Sequence, residues 1–142
     1  MQPEHASLTD EQWRTLQALA DRIIPQDPDW PSGWQAGVGD YLARQFEHDL
    51  RDRVESYRYG LEALDGEARA RTGKPFAELG NAAQDGILVA MEQGDVFTNW
   101  PDAPAFFAMV IQHVNEGFYS DPNNGGNKAG VAWQMIGYIV KG

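Results

Sequence analysis

Apolar residues recur every three or four positions along several segments of this chain, and this spacing constrains the fold more than any other feature. The clearest example covers about residues 50–72, where the apolar positions are Leu50, Val54, Tyr57, Leu61, Leu64 and Ala68. Such spacing keeps one side of an α-helix apolar, and no segment alternates apolar and polar residues as a half-buried strand would. The sequence therefore predicts an all-α fold.

Local signals predict where the helices begin and end. Thr9 is the expected N-cap of the first helix, with Gln12 at the third helical position, and Pro25 ends that helix. Further helices are expected at about residues 37–46, 50–72, 81–93, 103–117 and 127–138. Gly73 is expected to end the helix at about 50–72. We expect the two tryptophans of the proline-rich connection 25–35 to pack onto the helices. The 142 residues predict one compact domain of five to six helices, 1–142, with residues 1–7 flexible.

The charge and composition disfavour several classes of partner. A formal net charge of −10 argues against nucleic acid and against an anionic membrane surface, which both need clustered Lys and Arg. The absence of cysteine removes thiolate metal ligands and disulfides. No apolar stretch is long enough for a membrane span, and the first residues lack the basic and apolar regions of a secretion signal. We expect no direct membrane span and no signal in this chain.

The two halves of the chain differ in charge. Residues 1–71 carry 14 acidic and 8 basic side chains, whereas residues 72–142 carry 7 and 3. The second half also holds most of the aromatic residues, glycines and methionines. Low charge with many aromatic residues is typical of the centre of a protein–protein interface. A larger contribution of this half to the core would give the same composition, so both interpretations stay open.

The residues with catalytic or metal-binding potential do not form a convincing site. His113 and Glu116 have the spacing of carboxylate-bridged metal sites, but the other histidines, His5 and His48, are not expected to face them. A histidine hydrogen-bonded within the fold is the favoured interpretation. No dinucleotide or P-loop fingerprint is present, and we predict no catalytic, metal or cofactor-binding residue in this chain.

The C-terminal segment 116–138, EGFYSDPNNGGNKAGVAWQMIGY, contains a turn between aromatic residues. Gly125 and Gly126 can adopt positive φ, and Asn127 is a plausible N-cap for the last short helix after this Gly-rich loop. The loop can thereby bring Phe118 and Tyr119 beside later aromatic residues. A closing pair of core helices, an anion site at the helix N-terminus and a docking surface are the alternatives that the residues leave open.

The same segment resembles the C-terminal signature of the gluconate 2-dehydrogenase subunit 3 family. The matching residues are Glu116, Gly117, Phe118, Tyr119, Ser120, Asp121, Pro122, Gly125, Gly126, Asn127, Trp133, Ile136, Gly137 and Tyr138. The opening LTDEQWRTLQALADRIIPQD and the middle GLEALDGEARARTGKPFAEL are also similar to that family. Asn124, Ala132 and Gln134 depart from its pattern, which is compatible with a divergent branch such as one paired with glycoside-3-oxidising dehydrogenases.

The resemblance implies a non-catalytic small subunit, with FAD in a large flavin-dependent partner of the glucose–methanol–choline class and, in some complexes, a cytochrome c subunit. It implies a periplasmic complex, or a cytoplasmic one if the partner is not exported. The predicted partner-interface residues are Phe118, Tyr119, Asp121, Pro122, Gly125, Gly126, Asn127, Lys128, Trp133 and Tyr138. The alternative function is an independent ligand-binding or enzymatic helical domain with the 116–138 loop as its pocket.

Overall fold

The computed structural model describes residues 7–26 and 31–119, and within these ranges the chain forms helices and no strand. The helices are α1 (Asp10–Ile23), α2 (Val38–Gln45), α3 (Val54–Thr72), α4 (Asn81–Gln93) and α5 (Ala103–Phe118), with 3-10 turns at Arg51–Arg53 and Phe76–Glu78. The all-α prediction is confirmed. The predicted helix at 127–138 lies outside the described residues, as does Trp30 of the proline-rich connection.

The predicted helix ends agree closely with the structure except at the start of α3, which begins at Val54 and not at about residue 50, because a 3-10 turn precedes it at Arg51–Arg53. Thr9 caps α1 through a reciprocal pair of bonds: the Gln12 backbone N–H donates to Thr9 Oγ1 (3.1 Å), and the Thr9 N–H donates to Gln12 Oε1 (2.9 Å). Gly73 ends α3 with φ of +84°, in the left-handed region that glycine enters without strain. Trp34 packs edge-on against Trp13 with ring centroids 6.3 Å apart, as predicted for the connection.

Helix α5 is the central helix of the described fold, since it contacts each of the other four. Its sequence contains a single charged residue, Glu116, and its buried positions include Phe106, Val110 and Val114. Burial of apolar surface is the main favourable contribution to folding, so this helix holds the others together. In the described part of the chain, a core role therefore accounts for the low charge of the second half. None of the described helices has the length and apolarity needed to cross a bilayer.

A glycine allows α5 to lie close to α3. A Cβ atom at Gly60 of α3 would lie 2.2 Å from Cε1 of Phe106, well inside ordinary carbon–carbon contact. The Phe106 ring thus occupies the space over the α3 backbone. From there it meets Tyr57 on one side and Trp100 on the other, each with ring centroids 5.9 Å away.

Candidate subunit interface

The C-terminal end of α5 carries the two predicted interface residues that the structure describes. Phe118 is fully buried and belongs to the core, whereas Tyr119 is half-buried at the end of the helix. Their rings meet edge to face, with centroids 5.1 Å apart and an interplanar angle of 85°. The other predicted interface residues lie outside the described part of the chain: Asp121, Pro122, Gly125, Gly126, Asn127, Lys128, Trp133 and Tyr138.

Helix α2 fixes the position of this end of α5. A Cβ atom at Gly117 would lie 2.7 Å from Cδ2 of Tyr41, so glycine at this signature position lets the tyrosine ring pack directly on the α5 backbone. Burial raises the pKa of the Tyr41 phenol, and the negative charges of Glu116 and Asp49 raise it further. The contact therefore involves a neutral, amphipathic ring. This contact fixes the packing of α5 on α2 at Gly117.

His113 is hydrogen-bonded within the fold, as the sequence predicts. Its Nδ1 lies 2.8 Å from Tyr57 Oη on α3, and the two rings are nearly parallel with centroids 5.8 Å apart. Burial lowers the pKa of His113; the negative charge of Glu116 raises it in part, and the positive charge of Arg53 lowers it further. Burial likewise raises the pKa of Tyr57. Both side chains are therefore neutral near pH 7, and among the described residues no group of three His, Asp or Glu is arranged to hold a metal ion.

A mostly apolar groove, which we call the α3/α5 groove, runs beside the close approach of these helices. It encloses about 230 Å³ and is lined by Ser56, Tyr59, Gly60, Trp100, Asp102, Ala105, Phe106 and Met109. The rim residue Tyr59 is 57% exposed, while Trp100 lies at the buried end. The buried indole Nε1 of Trp100 has no hydrogen-bond partner in the part of the chain that the structure describes. The groove thus offers apolar and aromatic surface to another molecule.

A wider, polar depression of about 630 Å³ lies between the start of α1 and the middle of α3. Its lining is largely charged or polar and includes Glu11, Arg14, Glu62 and Arg69. Glu62 accepts a hydrogen bond from Gln12 Nε2 at 2.7 Å. Small-molecule sites usually have only a few convergent polar groups, whereas most of the residues that line this depression are charged or polar.

Glu67 of α3 is a fully buried carboxylate that the sequence did not identify. Its Oε2 accepts from the Phe97 backbone N–H (2.7 Å) and from Arg71 Nε (2.7 Å), and its Oε1 accepts from the Thr98 backbone N–H (3.0 Å) and Thr98 Oγ1 (2.8 Å). Burial alone would raise the pKa of Glu67, but these hydrogen bonds outweigh it and hold the pKa below its usual value. The carboxylate therefore stays ionised and fixes the connection between α4 and α5 to the middle of the fold.

The residue that this carboxylate positions is the most exposed large apolar residue among those described. Phe97 is 69% exposed, and Cζ of Arg71 lies 4.0 Å from its ring centroid. Arg71 is itself fixed, because its Nη2 donates to the backbone oxygen of Asp95 at 3.0 Å in addition to the Glu67 bond. In the sequence, the only feature that pointed to the burial of Glu67 was its position next to Ala68, at the edge of the apolar stripe of α3.

Comparison with known proteins gives one result. Neither the curated proteins nor the solved structures contain a match to this chain. The family model described as gluconate 2-dehydrogenase subunit 3 matches residues 10–142, which is all of the chain except its first nine residues. The match includes every described helix and the whole of the 116–138 segment. The chain therefore belongs to the gluconate 2-dehydrogenase subunit 3 family.

Proposed function

We propose that this chain is a non-catalytic small subunit that binds and stabilises a large FAD-dependent dehydrogenase of the glucose–methanol–choline class acting on a sugar or glycoside. FAD and the catalytic residues lie in that partner, and a cytochrome c subunit accepts electrons in the same complex. The small subunit assists maturation or export of the flavoprotein, and the mature complex is periplasmic.

The observation that carries this proposal is the family match over residues 10–142. The family is one of dehydrogenase subunits, and the match is not confined to a short motif. It extends over the core helices and over the C-terminal signature, so the similarity concerns the whole structural unit.

The geometry of the described residues supports a binding role more than a catalytic one. The ionisable groups that lie deepest, Glu67 and the pair Tyr57–His113, bind other parts of the fold and are engaged in hydrogen bonds. The surface instead presents aromatic side chains, Tyr59 and Phe97, and an apolar groove. Aromatic residues and depleted charge characterise the centres of protein interfaces.

The independent ligand-binding alternative places its pocket in the 116–138 loop, of which the structure describes only residues 116–119. The α3/α5 groove, at about 230 Å³, is smaller than the roughly 300–1,000 Å³ typical of small-molecule sites. That alternative predicts a stable monomer with measurable affinity for a small ligand. The subunit proposal predicts co-purification with a flavoprotein.

The test is co-expression with a candidate FAD-dependent dehydrogenase of the glucose–methanol–choline class from the same genome. We expect a tagged wild-type chain to retain this FAD-containing protein through purification, and dehydrogenase activity to fall when the small subunit is omitted. The variants Trp133→Ala and Gly126→Val examine the C-terminal signature as a docking element, with Glu92→Ala on the exposed side of α4 as the control. A fully active, soluble flavoprotein obtained without this chain, together with no complex when both are present, would show the proposal to be wrong.

A further inference from the structure

We propose that Phe97 is a preorganised docking residue of this chain, which inserts into an apolar pocket with an acidic rim on the dehydrogenase subunit. This inference rests on the proposed function and specifies one surface of that interaction. The surface consists of Phe97, in the connection between α4 and α5, and of Arg71 and Lys74 at the C-terminal end of α3. It is apart in sequence from the C-terminal signature.

The first argument is the rigidity of the backbone at Phe97. Two consecutive backbone N–H groups, those of Phe97 and Thr98, donate to the two oxygens of Glu67 at 2.7 and 3.0 Å. A buried carboxylate requires several hydrogen bonds to offset its loss of hydration, so the connection and the carboxylate stabilise each other. The backbone at Phe97 is therefore held in place before any partner binds.

The second argument is the position of the ring. Exposed apolar side chains that occur singly are normal in soluble proteins. Phe97 differs from such residues because Arg71 lies over one face of its ring at 4.0 Å, and Arg71 is held by both Glu67 and the Asp95 carbonyl. The ring is therefore restrained while 69% of the residue remains exposed. A side chain that is ordered before binding loses less conformational entropy when the complex forms.

The third argument concerns the charge around the ring. The guanidinium of Arg71 lies over the ring, and Lys74, three residues further along the chain, is exposed just after the C-terminal end of α3. Complementary potentials across an interface favour the correct partner and raise the association rate. The partner surface that fits is accordingly an apolar pocket for Phe97 bordered by carboxylates.

The experiment measures the affinity of the purified wild-type chain and its variants for the purified dehydrogenase subunit, for example by biolayer interferometry. Phe97→Ala is expected to raise the dissociation constant by about 30-fold or more, as is typical for truncation of a central aromatic residue. The matched control is Val89→Ala on α4, another exposed apolar residue, at 52% exposure, whose affinity should equal that of the wild type. Melting temperatures of both variants verify that the fold is intact.

Charge reversal tests the acidic rim. Lys74→Glu should weaken binding several-fold at low salt and less at high salt, whereas Arg51→Glu, also exposed but in the turn before α3, should not. If the wild type binds but Phe97→Ala binds equally well, this inference is overturned and the proposed function stands. If the wild type does not bind the dehydrogenase, the proposed function itself fails. If Phe97→Ala keeps its affinity but melts at a lower temperature, the ring packs against its own chain. If it keeps its affinity but no longer self-associates, the ring contacts a second copy of this chain.

Discussion

Adding one methyl group at Gly60 is a direct test of how α5 packs on α3. A Cβ atom there would lie 2.2, 2.3 and 2.6 Å from Cε1, Cδ1 and Cζ of Phe106. Gly66 lies on the same helix, but nothing is within 4 Å of the position its Cβ would take. The substitutions Gly60→Ala and Gly66→Ala therefore make the same chemical change in two different surroundings.

The expected effects have opposite signs. Alanine is favoured over glycine within a helix by up to about 1 kcal/mol, and at Gly66 this gain should appear almost undiminished. At Gly60 the Phe106 ring must move by more than about 1 Å to restore normal contact, and its neighbours Tyr57 and Trp100 restrict that movement. Overpacking of this kind costs about 1–3 kcal/mol. We expect Gly60→Ala to lower the free energy of unfolding by about 1–2 kcal/mol and Gly66→Ala to raise it by about 0.5–1 kcal/mol.

Urea unfolding followed by circular dichroism measures both variants against the wild type, as the isolated chain or in complex with its partner. Combining Gly60→Ala with Phe106→Leu should remove part of the cost, because the smaller side chain leaves room for the added methyl group. If Gly60→Ala and Gly66→Ala shift the unfolding midpoint in the same direction by similar amounts, the Phe106 ring does not pack over Gly60 and the reasoning fails.

Two further predictions concern the buried ionisable groups. Glu67→Ala should lower the free energy of unfolding by about 3–5 kcal/mol, because it removes the carboxylate that accepts from Arg71 and from two backbone N–H groups. In the same chemical denaturation experiment, the control Glu92→Ala on the exposed side of α4 should change it by less than about 0.5 kcal/mol. A loss below about 1 kcal/mol for Glu67→Ala would contradict a structural role for the carboxylate. The pKa of His113 is lowered in the folded state, so the unfolded state binds the proton more readily and stability should fall as the pH drops below the usual histidine value of about 6.5. His113→Gln, which keeps an acceptor for Tyr57, should flatten this dependence in unfolding curves measured between pH 5 and 8, and an unaltered slope would mean that His113 is not the group responsible.

The sequence by itself determined the helices and much of their ends, because the signals involved are local. The N-cap at Thr9 needs only Gln12 three residues later, and Gly73 ends α3 through its own backbone freedom. Helix α4 was predicted at about 81–93 and extends over Asn81–Gln93. The family was also evident in the sequence, since the signature at 116–138 is a run of residue identities.

Local sequence signals could not predict the roles of residues whose partners are distant in the chain. Glu67 follows Arg58 and Glu62 in a segment rich in charge, but of these three only Glu67 is buried, with the Phe97 and Thr98 N–H groups reaching it from about 30 residues away. Gly60 and Gly66 are equivalent by helix propensity, yet only Gly60 faces an aromatic ring from α5.

The physical reason is that a helical pattern specifies which side of a segment is apolar but not which other helix covers it. The sequence predicted a helix at about residues 103–117, whereas the central place of α5 depends on contacts with four other helices. Burial of a carboxylate and exposure of an aromatic ring both run against residue preference, and they are stable here because tertiary contacts supply the hydrogen bonds and the cation that local sequence does not. Tertiary structure alone therefore decided that Glu67 is inside and Phe97 outside.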